Sequence, residues 1–131
     1  MGNKVKVSVI MGVYNPKEER RFFAAVDSVI HQSFPDWELI LYDDGSGQPY
    51  AERIRRAGER DGRIRCIRGE DNRGLGYGLN VCIRHAAGDY IARMDDDDIS
   101  RPDRLERQID FLEGYPQYQW VGSNAELVDD L

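Results

Sequence analysis

The chain has 131 residues, 40% of them hydrophobic and 32% charged, with no repeated or low-complexity stretch. That composition suits one folded domain able to bury roughly two thirds of its unfolded surface, and it excludes a disordered chain or a repeat array. Eighteen basic against 24 acidic residues give a formal charge of −6, a balance that argues against a nucleic-acid-binding surface. No apolar run approaches the ~18 residues needed to span a bilayer, and "MGNKVKVSVI" lacks the apolar core of a signal peptide. A cytoplasmic location is the default expectation, compatible with a longer protein resting on the cytoplasmic face of a membrane.

"VKVSVIMGVY" is nearly continuous in apolar and β-branched character, which predicts a parallel strand over residues 5–13 covered on both faces. Asn15 then suits an N-cap, with Pro16 at the first helical position and Glu18 and Glu19 in the first turn. Phe22, Val26, Val29 and Ile30 follow at helical spacing, and the helix stops near "QSFP". "WELILY" supplies a second strand, ended by the turn cluster "DDGSG". "PYAERIRRAGERDG" reads as a weaker helix, "RIRCIRG" as a third strand and "EDNRGLGYG" as a loop.

Leu79, Cys82, Ile83 and Ala86 predict an amphipathic helix over 76–87, with Gly88 in a left-handed position past its end. "DYIARM" is the fourth strand. "SRPDRLERQIDFLEGYP" is the next helix, with Ser100 as its cap, Leu105, Ile109 and Leu112 on its buried face, and Gly114 and Pro116 at its end. "QWVGSNAELV" would begin another strand. Cys66 and Cys82 lack metal-ligand spacing and read as reduced core thiols, while His31 and His85 read as helix-end residues without a ligand set around them.

Strand and helix alternate four times, which specifies an α/β fold with a Rossmann-like, mostly parallel sheet and helices on both faces. Ligands of such sheets bind outside the carboxyl ends of the strands. "YN", "DDGSG", "EDNRG" and "DDDD" each follow a strand, so all four groups fall on one edge.

The acidic row Asp95, Asp96, Asp97 and Asp98 demands a positive partner, since adjacent carboxylates repel and raise one another's pKa. Asp95 and Asp97 can supply oxygens to Mg²⁺ or Mn²⁺, which would keep open positions for phosphates. A solvated acidic turn before a helix is the plainer alternative. An EF-hand fits Asp95, Asp97 and Glu106 by spacing but is opposed by Ile99, Ser100 and Pro102. Asp43 and Asp44 can accept hydrogen bonds from a ribose or a base, or form an Asp-Gly turn. Tyr14 and Asn15 can pack against a base, and Arg73 can reach a phosphate.

"VSVIMGVYN", "SVIHQSFPDWELILYDDGSG", "NRGLGYGLN" and "GDYIARMDDDDISRPDRLERQ", in this order, resemble the nucleotide-binding half of family 2 glycosyltransferases of the GT-A fold. The resemblance covers residues 5 to about 124. It implies a nucleotide-sugar donor, commonly UDP-linked, a saccharide or lipid-linked acceptor, and inverting, metal-dependent transfer to a hydroxyl. By position it assigns Asp43 and Asp44 to the nucleoside and Asp95 and Asp97 to the Asp-x-Asp motif at ribose and metal-bound diphosphate. Asp96 joins the nucleotide contacts, and Asp96 or Asp98 could share the metal.

Members of the family continue into an acceptor-binding half that carries the catalytic base, so the expectation is one nucleotide-sugar-binding domain over 1–131, truncated before that half, with the base beyond residue 131 and not at Asp129 or Asp130. Two other functions stay open. One is a nucleotide-sugar or metal-binding module without transfer activity. The other is a phosphoacceptor signalling domain, which would want its acidic pair after the first strand and a lysine after the last, where this chain has "GVYN" and no lysine beyond Lys17.

Overall fold

The computed structural model describes residues 4–127. β1 (Val7–Val13) and β2 (Trp37–Asp43) are buried almost throughout, whereas β3 (Ile64–Arg68) and β4 (Tyr90–Arg93) are partly exposed. The four strands form one parallel sheet in the order β3-β2-β1-β4, so the two continuous apolar runs of the sequence are the two central strands. Between them lie α1 (Glu19–Ile30), α2 (Tyr50–Gly58) and α3 (Leu75–His85), and α4 (Arg104–Gly114) follows β4.

Successive residues of a strand point to opposite faces, and each face here has its own core. Val7, Val9, Met11 and Val13 pack with Phe22, Val26 and Val29 of α1, Ile54 of α2, and Leu105 and Ile109 of α4. On the other face Ile10, Ile40 and Tyr42 meet Val81 and Cys82 of α3. Fully burying one such aliphatic side chain contributes about 1.5–3 kcal/mol, which is why the helices sit where their apolar stripes meet the sheet.

The helix starts differ from the sequence reading. Helix α1 begins at Glu19 with Glu18 at the cap, because Asn15, at φ 44°, spends its polar groups on the β2 loop instead. Ser100 does not cap α4, whose cap position is Asp103. Arg101 precedes Pro102 and is disfavoured in the α region, so the helix cannot start there. Gly88 is not left-handed; its missing side chain lets the backbone approach β1, where a Cβ would lie 2.7 Å from the Ser8 nitrogen.

Ser8, wholly buried, donates its hydroxyl proton to Glu38 Oε2 (2.6 Å) and accepts the Gly88 N–H (2.8 Å). Cys82 is buried as expected, but Cys66 is exposed, because among the described residues β3 is the edge strand of the sheet. His31 ends α1, and His85 Nδ1 lies 2.9 Å from the Val81 carbonyl, so both are helix-end residues. Residues 119–127 form no strand; they have no paired neighbour among the described residues, and Trp120 is 85% exposed. Asp129 and Asp130 lie outside the described residues. Among the described residues no helix is long and apolar enough to cross a membrane.

Candidate functional site

The carboxyl ends of all four strands face one edge, as a parallel sheet requires, and the loops leaving them differ in how they are held. Asp43 and Asp44 end β2 and are 2% and 5% exposed. Asp43 Oδ1 accepts the Ser46 N–H (2.8 Å), and its Oδ2 pairs with Arg68 of β3 at 2.6 Å. Arg68 also donates to the Ser46 carbonyl (2.9 Å). Asp44 Oδ1 accepts the Arg73 N–H and its Oδ2 the Gly74 N–H, each at 2.9 Å.

Asn15 completes the connection from β1. Its N–H donates to Ser46 Oγ (2.9 Å), and its Oδ1 accepts the Gly47 N–H (3.0 Å). Gly45, at φ 76°, lets the β2 loop press on the β3 loop: a Cβ there would stand 2.6 Å from the Asp71 carbonyl carbon. The structure thus joins Asn15, Asp43, Asp44 and the backbone of Arg73 into one hydrogen-bonded rim. Tyr14 stands beside it half exposed. The Arg73 guanidinium lies over the Tyr77 ring (5.1 Å), which meets Tyr42 edge-on, along a groove of about 380 Å³ between α3 and β3.

The acidic loop after β4 is built differently. Met94 is buried and anchors its start, while Asp95, Asp97 and Asp98 are exposed, each offering a carboxylate oxygen within 4.8 Å of the others. Asp96 stands apart, half buried, and burial, reinforced by the neighbouring Asp97, pushes its carboxyl up to about 6. Burial also raises Asp98, with Asp97 and Asp95 adding to the effect and Arg104 opposing it. Arg93 reaches Asp95 at 3.5 Å.

Behind the loop, Arg104 donates to the Arg93 carbonyl (3.0 Å) and to Ser100 Oγ (3.1 Å). The Ser100 N–H donates to Ser28 Oγ (3.1 Å), and the buried Gln32 side chain donates to the Arg101 carbonyl (2.7 Å) while accepting the Leu105 N–H (3.1 Å). No hydrogen bond ties Asp95–Asp98 to the rim among the described residues. Sequence reasoning missed Arg68, Gln32 and Arg104. "DRLERQ" shows Arg104 only as a helix residue, and Gln32 carries no periodic signal.

The acidic loop fits a hard cation. Its donors are all carboxylate oxygens, the ligands a hard cation prefers, and three of them lie within 4.8 Å of one another. Asp98 therefore joins Asp95 and Asp97 as a candidate ligand by proximity, and Asp96 does not.

Residues 8–126 match the family described as Glycosyl transferase family 2. EpsE of Bacillus subtilis (strain 168), which bears a glycosyltransferase's name, is 44% identical over 131 residues, covering 99% of this chain and 46% of its own. The uncharacterized glycosyltransferase MJ1057 of Methanocaldococcus jannaschii is 36% identical over 129 residues, covering 98% of this chain and 44% of its own. Residues 1–349 of S. aureus TarS, solved in complex with UDP, share 26% identity at a TM-score of 0.71, over 86% of this chain and 33% of that one. A Pyrobaculum calidifontis mannosyltransferase, solved with GDP-Man and Mn²⁺, matches in fold at 24% identity and a TM-score of 0.72, over 82% of this chain and 32% of that one. The chain spans less than half the length of these relatives. By this match and by its GT-A sheet, the chain belongs to glycosyl transferase family 2.

Proposed function

We propose that the chain is the donor-binding part of an enzyme that moves a sugar from a nucleotide sugar, UDP-linked by preference, to a hydroxyl of a saccharide or lipid-linked acceptor. The observation that carries this reading is one sheet edge holding a buried, hydrogen-bonded rim beside three exposed carboxylates. Family membership supports the reaction class, and the UDP held by TarS supports the choice of nucleotide. Transfer is a single in-line displacement with inversion: the acceptor oxygen forms its bond to the anomeric carbon as the bond to the diphosphate breaks, and the acceptor proton goes to a base that no residue of this chain is assigned to supply.

This chain's residues bind and orient the donor. The exposed Tyr14 ring can stack on the base, and Arg73 can meet a phosphate or base edge. Asn15, Asp43 and Asp44 shape the nucleoside end by holding the loops that frame it. Asp96 contributes from the nucleotide side. Asp95, Asp97 and Asp98 would hold a divalent cation, Mn²⁺ or Mg²⁺, which would supply positive charge to the leaving diphosphate.

Calorimetric titration with UDP tests the reading. Binding is expected in Mn²⁺ or Mg²⁺ and is expected to vanish in chelator. Equal affinity in both would overturn the metal assignment, and no binding in any condition would overturn the donor assignment.

A further inference from the structure

The family resemblance assigns Asp44, with Asp43, to the nucleoside, yet both Asp44 oxygens already accept backbone protons from the loop that carries Arg73. We propose that Asp44 is a positioning residue that acts on the donor through Arg73, by clamping the turn at 71–74 against the end of β2. The inference rests on the donor-binding reading above and refines the role of one residue within it.

Three observations converge. The Asp44 carboxylate is 5% exposed and bridges two consecutive amides, Arg73 and Gly74, at 2.9 Å each, a geometry that fixes a turn's orientation as well as its distance. Gly74 has φ 93°, so the turn takes a conformation that side chains resist and that the bridging carboxylate supports. Gly45, next to Asp44, makes room for the same segment, since a Cβ there would collide with Asp71 and with the Asn72 nitrogen at 2.8 Å.

What the clamp presents is the Arg73 side chain. It lies over Tyr77 and has no carboxylate partner among the described residues, unlike Arg68, which is paired with Asp43. A guanidinium held in place by its own backbone, with its donors unspent, is ready for an anionic ligand. Removing the clamp leaves Arg73 in the chain but unplaced, so its contact would carry an added cost of ordering.

The experiment has two arms. Without ligand, amide hydrogen exchange is followed in the unaltered chain, in Asp44→Ala and in the isosteric Asp44→Asn, which keeps one acceptor. The Arg73 and Gly74 amides are expected to exchange about tenfold faster in Asp44→Ala and less so in Asp44→Asn, with β1 and β2 unchanged. With UDP and Mn²⁺, Asp44→Ala and Arg73→Ala are each expected to lose about tenfold in affinity, and the double variant to lose no more than about twofold beyond the weaker single one. Unchanged exchange at both amides, or losses that multiply in the double variant, would overturn the clamp. If the unaltered chain binds no UDP, the donor reading fails and the exchange arm alone decides whether Asp44 holds the turn. Should Asp44→Ala fail to fold, Asp44→Asn carries both arms.

Discussion

Two groups of aspartates stand on the same sheet edge and have opposite surroundings. Asp43 and Asp44 are buried, and all four of their oxygens accept a hydrogen bond from the protein. Asp95, Asp97 and Asp98 are exposed, with their oxygens turned to solvent apart from the long contact of Asp95 with Arg93. One residue type therefore does two jobs. Carboxylates whose oxygens are already occupied hold loops in place, and those left open can receive something the chain does not itself provide. Changes in the first group should register in stability and order, reaching affinity only through the loops they hold, and changes in the second in ligand affinity alone.

The sharpest test of that division is Asp95→Ala with Asp97→Ala. UDP affinity in Mn²⁺ is expected to fall about a hundredfold or more, since each charge-assisted contact contributes about 1.5–3 kcal/mol. The unfolding midpoint should not drop, because no protein hydrogen bond is lost at either side chain and like-charge repulsion is relieved. A large loss of stability would erase the contrast.

Next comes Asp43→Ala, expected to cost about 1–3 kcal/mol by denaturant titration, because the Ser46 N–H and Arg68 lose a buried acceptor. An unchanged midpoint would place Asp43 with the open group. Gly45→Ala should cost a similar or slightly smaller amount, about 1–3 kcal/mol, from a left-handed residue and a Cβ against Asp71. It should also quicken exchange at residues 71–74, and a silent substitution would show that the two loops can part freely.

The smallest effect lies away from the edge. Asp61 is held below the usual carboxylate range, chiefly by its hydrogen bond with Arg63, whose guanidinium stacks on Trp37 at 3.8 Å. A depressed carboxyl contributes stability above its unfolded value near 3.8 and loses it as pH falls through the lower folded value. The pair is partly exposed, so less than about 1 kcal/mol is expected. Asp61→Asn should remove that small acid-dependent component and leave the edge untouched, as comparison of denaturation at neutral and acid pH will show.

These contrasts also explain what the sequence revealed. Strands β1 and β2 were legible because burial on both faces writes a continuous apolar run, and the position of the acids followed from parallel topology. Asn15 misled because the side-chain oxygen that suits a cap accepts from the β2 loop instead, and Ser100 because its hydroxyl is engaged by Met94 and Arg104 rather than by the first-turn amides. Cys66 sits in an apolar stretch, and only the strand order reveals that its strand lies at the edge. Within Asp95–Asp98 four identical residues offer no local signal of which one turns inward. Burial decides it, and selects Asp96.

Ser8 has a further consequence for the distant edge. Strands that are apolar on both faces carry little information about how they should align, because sliding one along the other still buries hydrocarbon. Ser8 and Glu38 are the polar residues inside these two runs, they are direct partners in the β1–β2 ladder, and they bond to each other. A slip of two residues would keep every side chain on its proper face but strand a hydroxyl and a carboxylate in the interior. It would also carry Asp43 and Asp44 roughly 6.6 Å away from Tyr14 and Asn15. One serine at the start of a strand thus acts as an alignment mark for the opposite end of the sheet.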